Sequence, residues 1–411
     1  MRFASIHNGE MHDSRGDDVT PQPAYQPRID MVDSLRGFAL MGLFLNHSIE
    51  YFELYWAHPT KSVIHDVLWA LFEGKSFSLL ALCFGLSFFI IMDRQSARGV
   101  DFSGRFVWRL AILFIFGWLH GLVYMGEVLQ ILAPMGLILV PLNRIRANWI
   151  LVVLGLLCLA ELPLLWQSHE AAAGVAWANL PPHFLSANPL GVYIHGSFGD
   201  VIARNVFFGQ LGKWWYYIES GRMMQIAGLY LIGLVLGRIG FFATPEKFRV
   251  QRYVAMALAV VAWLALYLAR GPLTGLIPQA DGQHMARSTF NMVVDDQMCM
   301  AQMVFVVLAL IELYQRGGRR LLNLLAPVGR MTLTLYIMQS LVFVPVYYGF
   351  GLGMHAVMTQ TEALCLGIAF FAAQMVFAHV WFRYFYYGPL EWLWRAATYL
   401  SVNVPFRRRT A

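Results

Sequence analysis

The chain has 411 residues, of which 58% are hydrophobic and 13% charged, and its mean hydropathy is +0.54. Soluble domains carry about a quarter charged residues, so there is too little charge here to cover a soluble surface, and fibrous or disordered states are excluded as well. The net charge of +6 lacks the basic stripe on a soluble platform that marks a nucleic-acid reader, and no nucleic-acid partner is expected.

In chain order, residues 1–27 are polar and Pro-bearing, without the apolar core of a signal peptide, and are expected to be a mobile cytoplasmic tail. Apolar blocks of span length follow at about 35–55, 76–93, 107–125, 128–142, 148–167, 223–242, 253–269, 298–315, 331–349 and 362–382. The expected fold is all-α: a polytopic transmembrane helix bundle of about ten spans over 28–387, with a long outer loop at about 168–221. The block at 128–142 is the shortest. Aromatic residues mark the membrane margins at Tyr51 to Trp56, Trp214 to Tyr217 and Tyr384 to Tyr387. Residues 388–411 are expected to form an amphipathic cytoplasmic helix, with Leu390, Leu393, Trp394 and Ala397 on one face, and then a basic tail.

Charge sorting sets the orientation. Arg94, Arg98 and Arg105, then Arg144 and Arg146, then Lys247, Arg249 and Arg252, then Arg316, Arg319 and Arg320 fall in alternate loops, joined by Arg407 to Arg409 at the end. The opposite loops are lean, with Lys61, then Arg204 and Lys213, then Arg270 and Arg287. Both termini are therefore expected in the cytoplasm. Cys83, Cys158, Cys299 and Cys365 lie in or beside apolar blocks without metal-like spacing and read as packing residues.

Ionisable groups at membrane depth are costly and point to function. The first block is the richest. Arg36 and His47 are eleven residues apart, about 20° from whole turns and about 16 Å of rise on an α-helix. His58 lies eleven further on, so all three share a stripe if the helix runs to Pro59. Glu50 is placed to reach His47, and Glu53 is a second carboxylate able to orient an imidazole. Head-group anchoring explains Arg36 as well as a site does, and Asn46 and His47 could equally bond neighbouring helices. His120 with Glu127, and the stripe of Thr332, Tyr336 and Gln339, are further candidates for lining a site, against the alternative of helix–helix hydrogen bonding. Glu73 and Lys75 read as a structural ion pair. The irregularly spaced His169, His183 and His195 give no metal signature, and no metal is expected. The motifs of soluble hydrolases, nucleotidases, metalloproteases and dinucleotide enzymes are absent from the sequence.

RIDMVDSLRGFALMGLFLNH (28–47), FEGKSFSLLALCFG (72–85), GWLHGLVYMGEVL (117–129), VGRMTLTLYIMQS (328–340) and GPLEWLWR (388–395) together resemble the YeiB-like family of bacterial multi-span membrane proteins, a domain of unknown function, over nearly the whole chain. That family looks distantly similar to membrane O-acyltransferases of surface polysaccharides, whose first span also carries an arginine and a histidine with ten residues between them. It also looks similar to the lysosomal heparan-glucosaminide N-acetyltransferase, where an asparagine and then a histidine at the end of the first span are the proposed active-site residues. Carried over by position, His47 falls at the asparagine and His58 at the histidine. This departs from the usual pattern and leaves open which imidazole is the base; Asn46 is then the family's asparagine displaced by one.

The resemblance implies acetyl-CoA or another acyl-CoA as co-substrate, and transfer to a hydroxyl or amine of an outer-side acceptor such as a sugar or glycolipid. It also implies the bacterial inner membrane, with lipid as a partner and a homo-oligomer as an open option. On that reading His58, His47, Glu50 and Glu53 are the catalytic candidates. Arg36, Asn46, His120, Glu127, Arg109, Arg330 and Gln339 are the binding ones, with Arg109 and Arg330 among arginines able to meet the CoA phosphates. The rival classes are a transporter of a small or lipid-linked substrate, and a structural or signalling membrane protein.

Overall fold

The structure, a computed structural model, describes residues 29–60, 62–184, 190–278 and 285–408. The N-terminal tail, Lys61 and Arg409 lie outside the described residues. Each of the ten apolar blocks forms helix. In chain order the helices are α1 (Asp30–Ile49), α2 (Val63–Phe72), α3 (Lys75–Ser96), α4 (Ser103–Gly121), α5 (Leu129–Met135), α6 (Leu139–Leu142), α7 (Asn148–Leu159) and α8 (Leu162–Ala172). They continue with α9 (Gly191–His195), α10 (Phe198–Val206), α11 (Phe208–Glu219), α12 (Arg222–Arg238), α13 (Arg249–Leu276) and α14 (Met285–Leu313). The last are α15 (Arg319–Leu322), α16 (Ala326–Arg330), α17 (Thr332–Tyr347), α18 (Gln360–Tyr384) and α19 (Pro389–Tyr399).

Among the described residues five helical segments are long and apolar enough to cross a membrane, and α11 with α12 makes a sixth if the pair, bent by 67°, is one broken span. The α1 and α4 helices have span length, 20 and 19 residues, but they carry Arg36, His47, Arg109 and His120, which lower their hydropathy. The α13 segment presents Val254, Leu258, Val261 and Leu268 outward, each more than half exposed. At i, i+4, i+7 and i+14 these make one apolar stripe that water would not tolerate and lipid would. The molecule has the architecture of an integral membrane protein.

Packing inside the bundle depends on small residues, as it does where lipid removes the hydrophobic drive between helices. Helices α3 and α12 cross in close backbone contact: a Cβ on Gly85 would lie 2.1 Å from Tyr230 O, and one on Gly233 would lie 2.2 Å from Leu82 O. Helix α1 runs through the centre, against α3, α16 and α18. Its Phe44 meets Phe343 edge-on at 5.0 Å, and Phe343 meets Phe370 at the same spacing. The four cysteines are free.

Two expectations are corrected and one helix is added. The segment at 168–221, expected to be one long outer loop, is largely helical among its described residues, with the end of α8 and then α9, α10 and α11. The capping box of Ser197 and Asp200 starts α10, and Tyr193 ties α9 to Asn205. Helix α2 was not read from the sequence. And α1 does not run to Pro59: it stops at Ile49, and Tyr51, Phe52 and Glu53 take φ of 51°, 48° and 82°. A left-handed conformation costs about 1–2 kcal/mol per non-glycine residue. Tertiary packing offsets this cost, because the reversal turns Phe52 back under the bundle, where it is 2% exposed and stacks on Phe343 at 5.8 Å.

The amphipathic segment at 388–400 is helical, as α19, and it docks on the bundle. Trp394 Nε1 donates to Arg109 O and Trp108 Nε1 donates to Ala397 O. The tail then folds back, with Tyr386 N–H on Phe406 O and Arg408 N–H on Tyr384 O.

Candidate functional site

The chain reversal after α1 creates the first half of the site. Phe52 N–H bonds His47 O at 2.8 Å, which brings the Glu53 carboxylate under the His47 ring, with Nδ1 2.7 Å from Oε1. Tyr124, just beyond α4, donates its hydroxyl to the same Glu53 oxygen at 2.9 Å. Glu50, expected to reach His47, instead faces His65 of α2, with Oε1 3.6 Å from Nε2. His65 is stacked on Tyr55 at 4.7 Å.

The second half stands at the end of α4. His120 Nδ1 pairs with Glu127 Oε2, and the other Glu127 oxygen accepts the Leu129 N–H that opens α5. His120 is 5% exposed and Glu127 fully buried. The His120 Nε2 is buried with no hydrogen-bond partner among the described residues. Both histidines flank one ring, His47 at 6.3 Å and His120 at 5.7 Å from the centroid of Tyr124. Lys213, on α11, is buried with Nζ unbonded and bears electrostatically on His120.

A third group adjoins them. Asn46, one residue before His47 and therefore about 100° away on the helix, donates to Glu73 Oε2 at 2.9 Å. Arg222, at the start of α12, reaches Glu73 at 3.9 Å and Asp296 at 3.6 Å and donates to Gln225, which donates in turn to Glu161 at 2.6 Å. The expected pairing of Glu73 with Lys75 is not made, because Lys75 Nζ caps the backbone carbonyls of Trp69 and Glu73.

Other expected site residues lie elsewhere. His58 follows a short 3-10 turn (Leu54–Ala57) and is exposed, off the α1 axis, so the stripe of three does not form. Arg36 ties α1 to α3 through Ser87 Oγ and Cys83 O, and contacts Asp33 at 3.5 Å. Gln339 donates to Gln374 at 2.8 Å, binding α17 to α18. Thr332 bonds Gly329 O. Arg109 lies 3.5 Å from the Trp394 ring centroid and Arg330 lies 3.9 Å from that of Phe382. The guanidinia of Arg36 and Arg395 repel that of Arg109, so these three cations share one end of the bundle.

Sequence reasoning missed His65, Tyr124, Arg222 and Asp296. His65 sits in a ten-residue helix too short to register as a span. Tyr124 looked like one more apolar-block residue. Arg222 and Asp296 lie some seventy residues apart and meet only in the fold.

A helical membrane protein with a buried histidine–carboxylate centre is the class these features define. Residues 236–401 match the family described as protein of unknown function (DUF418). The whole chain is similar to uncharacterized protein YxaH of Bacillus subtilis (strain 168), 28% identical over 93% of this chain and 97% of that one. It is also similar to uncharacterized protein YeiB of Escherichia coli (strain K12), 26% identical over 89% and 95%. An uncharacterized 39.9 kDa protein in the amylase 3' region of Bacillus acidopullulyticus is 24% identical over 92% and 95%. The YeiB-like resemblance read from the sequence therefore holds along nearly the full length. These names assign no activity, and the likeness to acyltransferases rests on the motifs alone.

Proposed function

We propose that this protein is an acyltransferase of the bacterial inner membrane, moving an acyl group from cytosolic acyl-CoA to a hydroxyl or amine of an outer-side acceptor. The ten helical blocks would then be spans, with both termini cytoplasmic. One observation carries the reading: the buried His120–Glu127 pair, with Nδ1 held by a carboxylate and Nε2 left without a partner. This is the arrangement of a general base whose orienting group is already in place.

In the reaction, His120 Nε2 takes the proton of the acceptor, whose oxygen or nitrogen attacks the thioester carbonyl. The C–S bond breaks, and the imidazolium returns its proton to the leaving thiolate. Lys213 Nζ, as a hydrogen-bond donor, would stabilise the oxyanion between these steps. The cation group of Arg36, Arg109 and Arg395 supports a phosphate-binding end. Because His120 is sealed, the substrate reaches it only when the surrounding helices part. The sequence motifs by themselves point to His47 and His58 as bases; the unpartnered Nε2 of His120 and the exposure of His58 support His120 instead.

The test is acetyl transfer from labelled acetyl-CoA to an amino sugar or a hydroxyl acceptor by protein in liposomes. Transfer by the native chain and its loss in His120→Ala would support the reading; equal transfer by both would refute it.

A second reading, a transporter, is favoured by one observation. Helices α11 and α12 meet at 67°, and half-buried Arg222 with buried Glu161 and Asp296 lies at the break, as at the broken helices of transporters. It requires substrate flux in proteoliposomes without acyl consumption.

A further inference from the structure

Glu50, Glu53, His47 and His65 are more donor-rich than a proton relay needs. One ligand atom each from His47, Glu50 and Glu53 lies within 4.8 Å of the other two. His65 Nε2 adds a fourth donor 3.6 Å from Glu50 Oε1. Three of these atoms, His47 Nδ1, Glu50 Oε1 and His65 Nε2, are buried and make ion-pair contacts but no aligned hydrogen bond with any described residue. Glu50 itself is 3% exposed. A buried carboxylate oxygen and two imidazole nitrogens with lone pairs unspent are expensive to leave so. Two adjacent carboxylates, Glu50 buried and Glu53 half-buried, also repel unless a cation or a proton lies between them.

We infer that this cluster binds a first-row divalent cation of the Zn²⁺ or Mn²⁺ kind, ligated by His47, Glu50 and Glu53, with His65 on the fourth side. Two imidazoles and two carboxylates suit such ions better than Mg²⁺ or Ca²⁺, which prefer oxygen alone. With bonds of about 2.1 Å, tetrahedral ligand atoms stand about 3.4 Å apart, so the cluster closes by shifts of about 1 Å or less. Part of the outer shell is present as well: the Tyr124 hydroxyl donates to Glu53 at 2.9 Å, as metal-bound carboxylates are usually supported. The unusual backbone of 51–53 serves this end, because it swings Glu53 back toward His47. The inference does not depend on acyl transfer. It is compatible with it, because the base assigned there is His120 and not His47.

The experiment uses the full chain in detergent with any affinity tag removed, stripped with EDTA and reloaded with Zn²⁺ or Mn²⁺. One ion per chain is expected by elemental analysis, together with a Zn²⁺-dependent rise in Tm and weaker binding of Mg²⁺ and Ca²⁺. Tyr124→Phe, which removes a supporting hydroxyl and keeps the ring, should weaken binding about 10–100-fold. Glu50→Gln should weaken it further. A chain that takes up no Zn²⁺ or Mn²⁺, or affinities unchanged by both substitutions, would overturn the site.

Discussion

His120 and Glu127 form a buried pair across the turn between α4 and α5: the carboxylate holds Nδ1, and Nε2 is buried with nothing to bond among the described residues. The Glu127 side chain also caps α5 through the Leu129 N–H. One carboxylate thus fixes both the imidazole and the start of the next helix.

If Glu127 orients a catalytic base, Glu127→Gln should keep the cap and the shape but lose the charge that stabilises an imidazolium. Acyl transfer is then expected to fall by roughly 10²–10⁴-fold, while helix content and the unfolding temperature in detergent change little. A loss of structure equal to the loss of rate would mark Glu127 as purely structural.

The Arg222 network makes a stability prediction. Removing one member of a buried ion pair leaves the rest uncompensated, at about 3–5 kcal/mol. Arg222→Met should lower the unfolding temperature strongly. Adding Asp296→Asn should recover part of that loss, because Asp296 no longer lacks its cation at 3.6 Å. Additive losses in the double variant would show that the two do not couple.

The α3–α12 crossing is tested by Gly85→Leu. The added Cβ alone would stand 2.1 Å from a backbone oxygen, so the helices must separate, and overpacking of this kind costs about 1–3 kcal/mol or more. Thermal unfolding in detergent should show a large drop. An unchanged Tm would contradict close backbone contact at this crossing.

Docking of α19 should depend on pH. Burial pushes the Glu391 carboxyl up from its usual range, against the pull of bonds from Thr334 N–H and Oγ1 at 3.0 and 2.6 Å. A carboxyl whose folded pKa is raised contributes stability that is fully present below its unfolded pKa, about 4.3, and lost as pH rises through the folded one. Amide exchange in 389–399, corrected for intrinsic rates, should therefore show less protection as pH rises through that window. Glu391→Gln, always neutral, should remove the pH dependence. The same pH dependence in the variant would assign it to another group.

Much of the fold was legible because hydropathy reports burial in lipid directly: every apolar block became helix, and the segment around Leu390 and Trp394 became α19. The pairing of His120 with Glu127 was also readable, since seven residues spanning a helix end can bring two side chains together. What could not be read was the end of α1. Nothing in HSIEYFELYWAHP breaks a helix before Pro59; the reversal at Tyr51–Glu53 is bought by Phe52 packing on Phe343, nearly three hundred residues away. His58 was misplaced for that reason, and His65 and Tyr124 were overlooked because their partners Glu50 and Glu53 are set by the same reversal.

The most direct test is single-turnover acetyl transfer by native protein, His120→Ala and His58→Ala in the same liposomes, with labelled acetyl-CoA outside the cytoplasmic face and acceptor on the other. A base at His120 predicts transfer by the native chain and by His58→Ala, and none above background by His120→Ala. Full transfer by His120→Ala, or acceptor crossing the bilayer unacylated in all three, would contradict it.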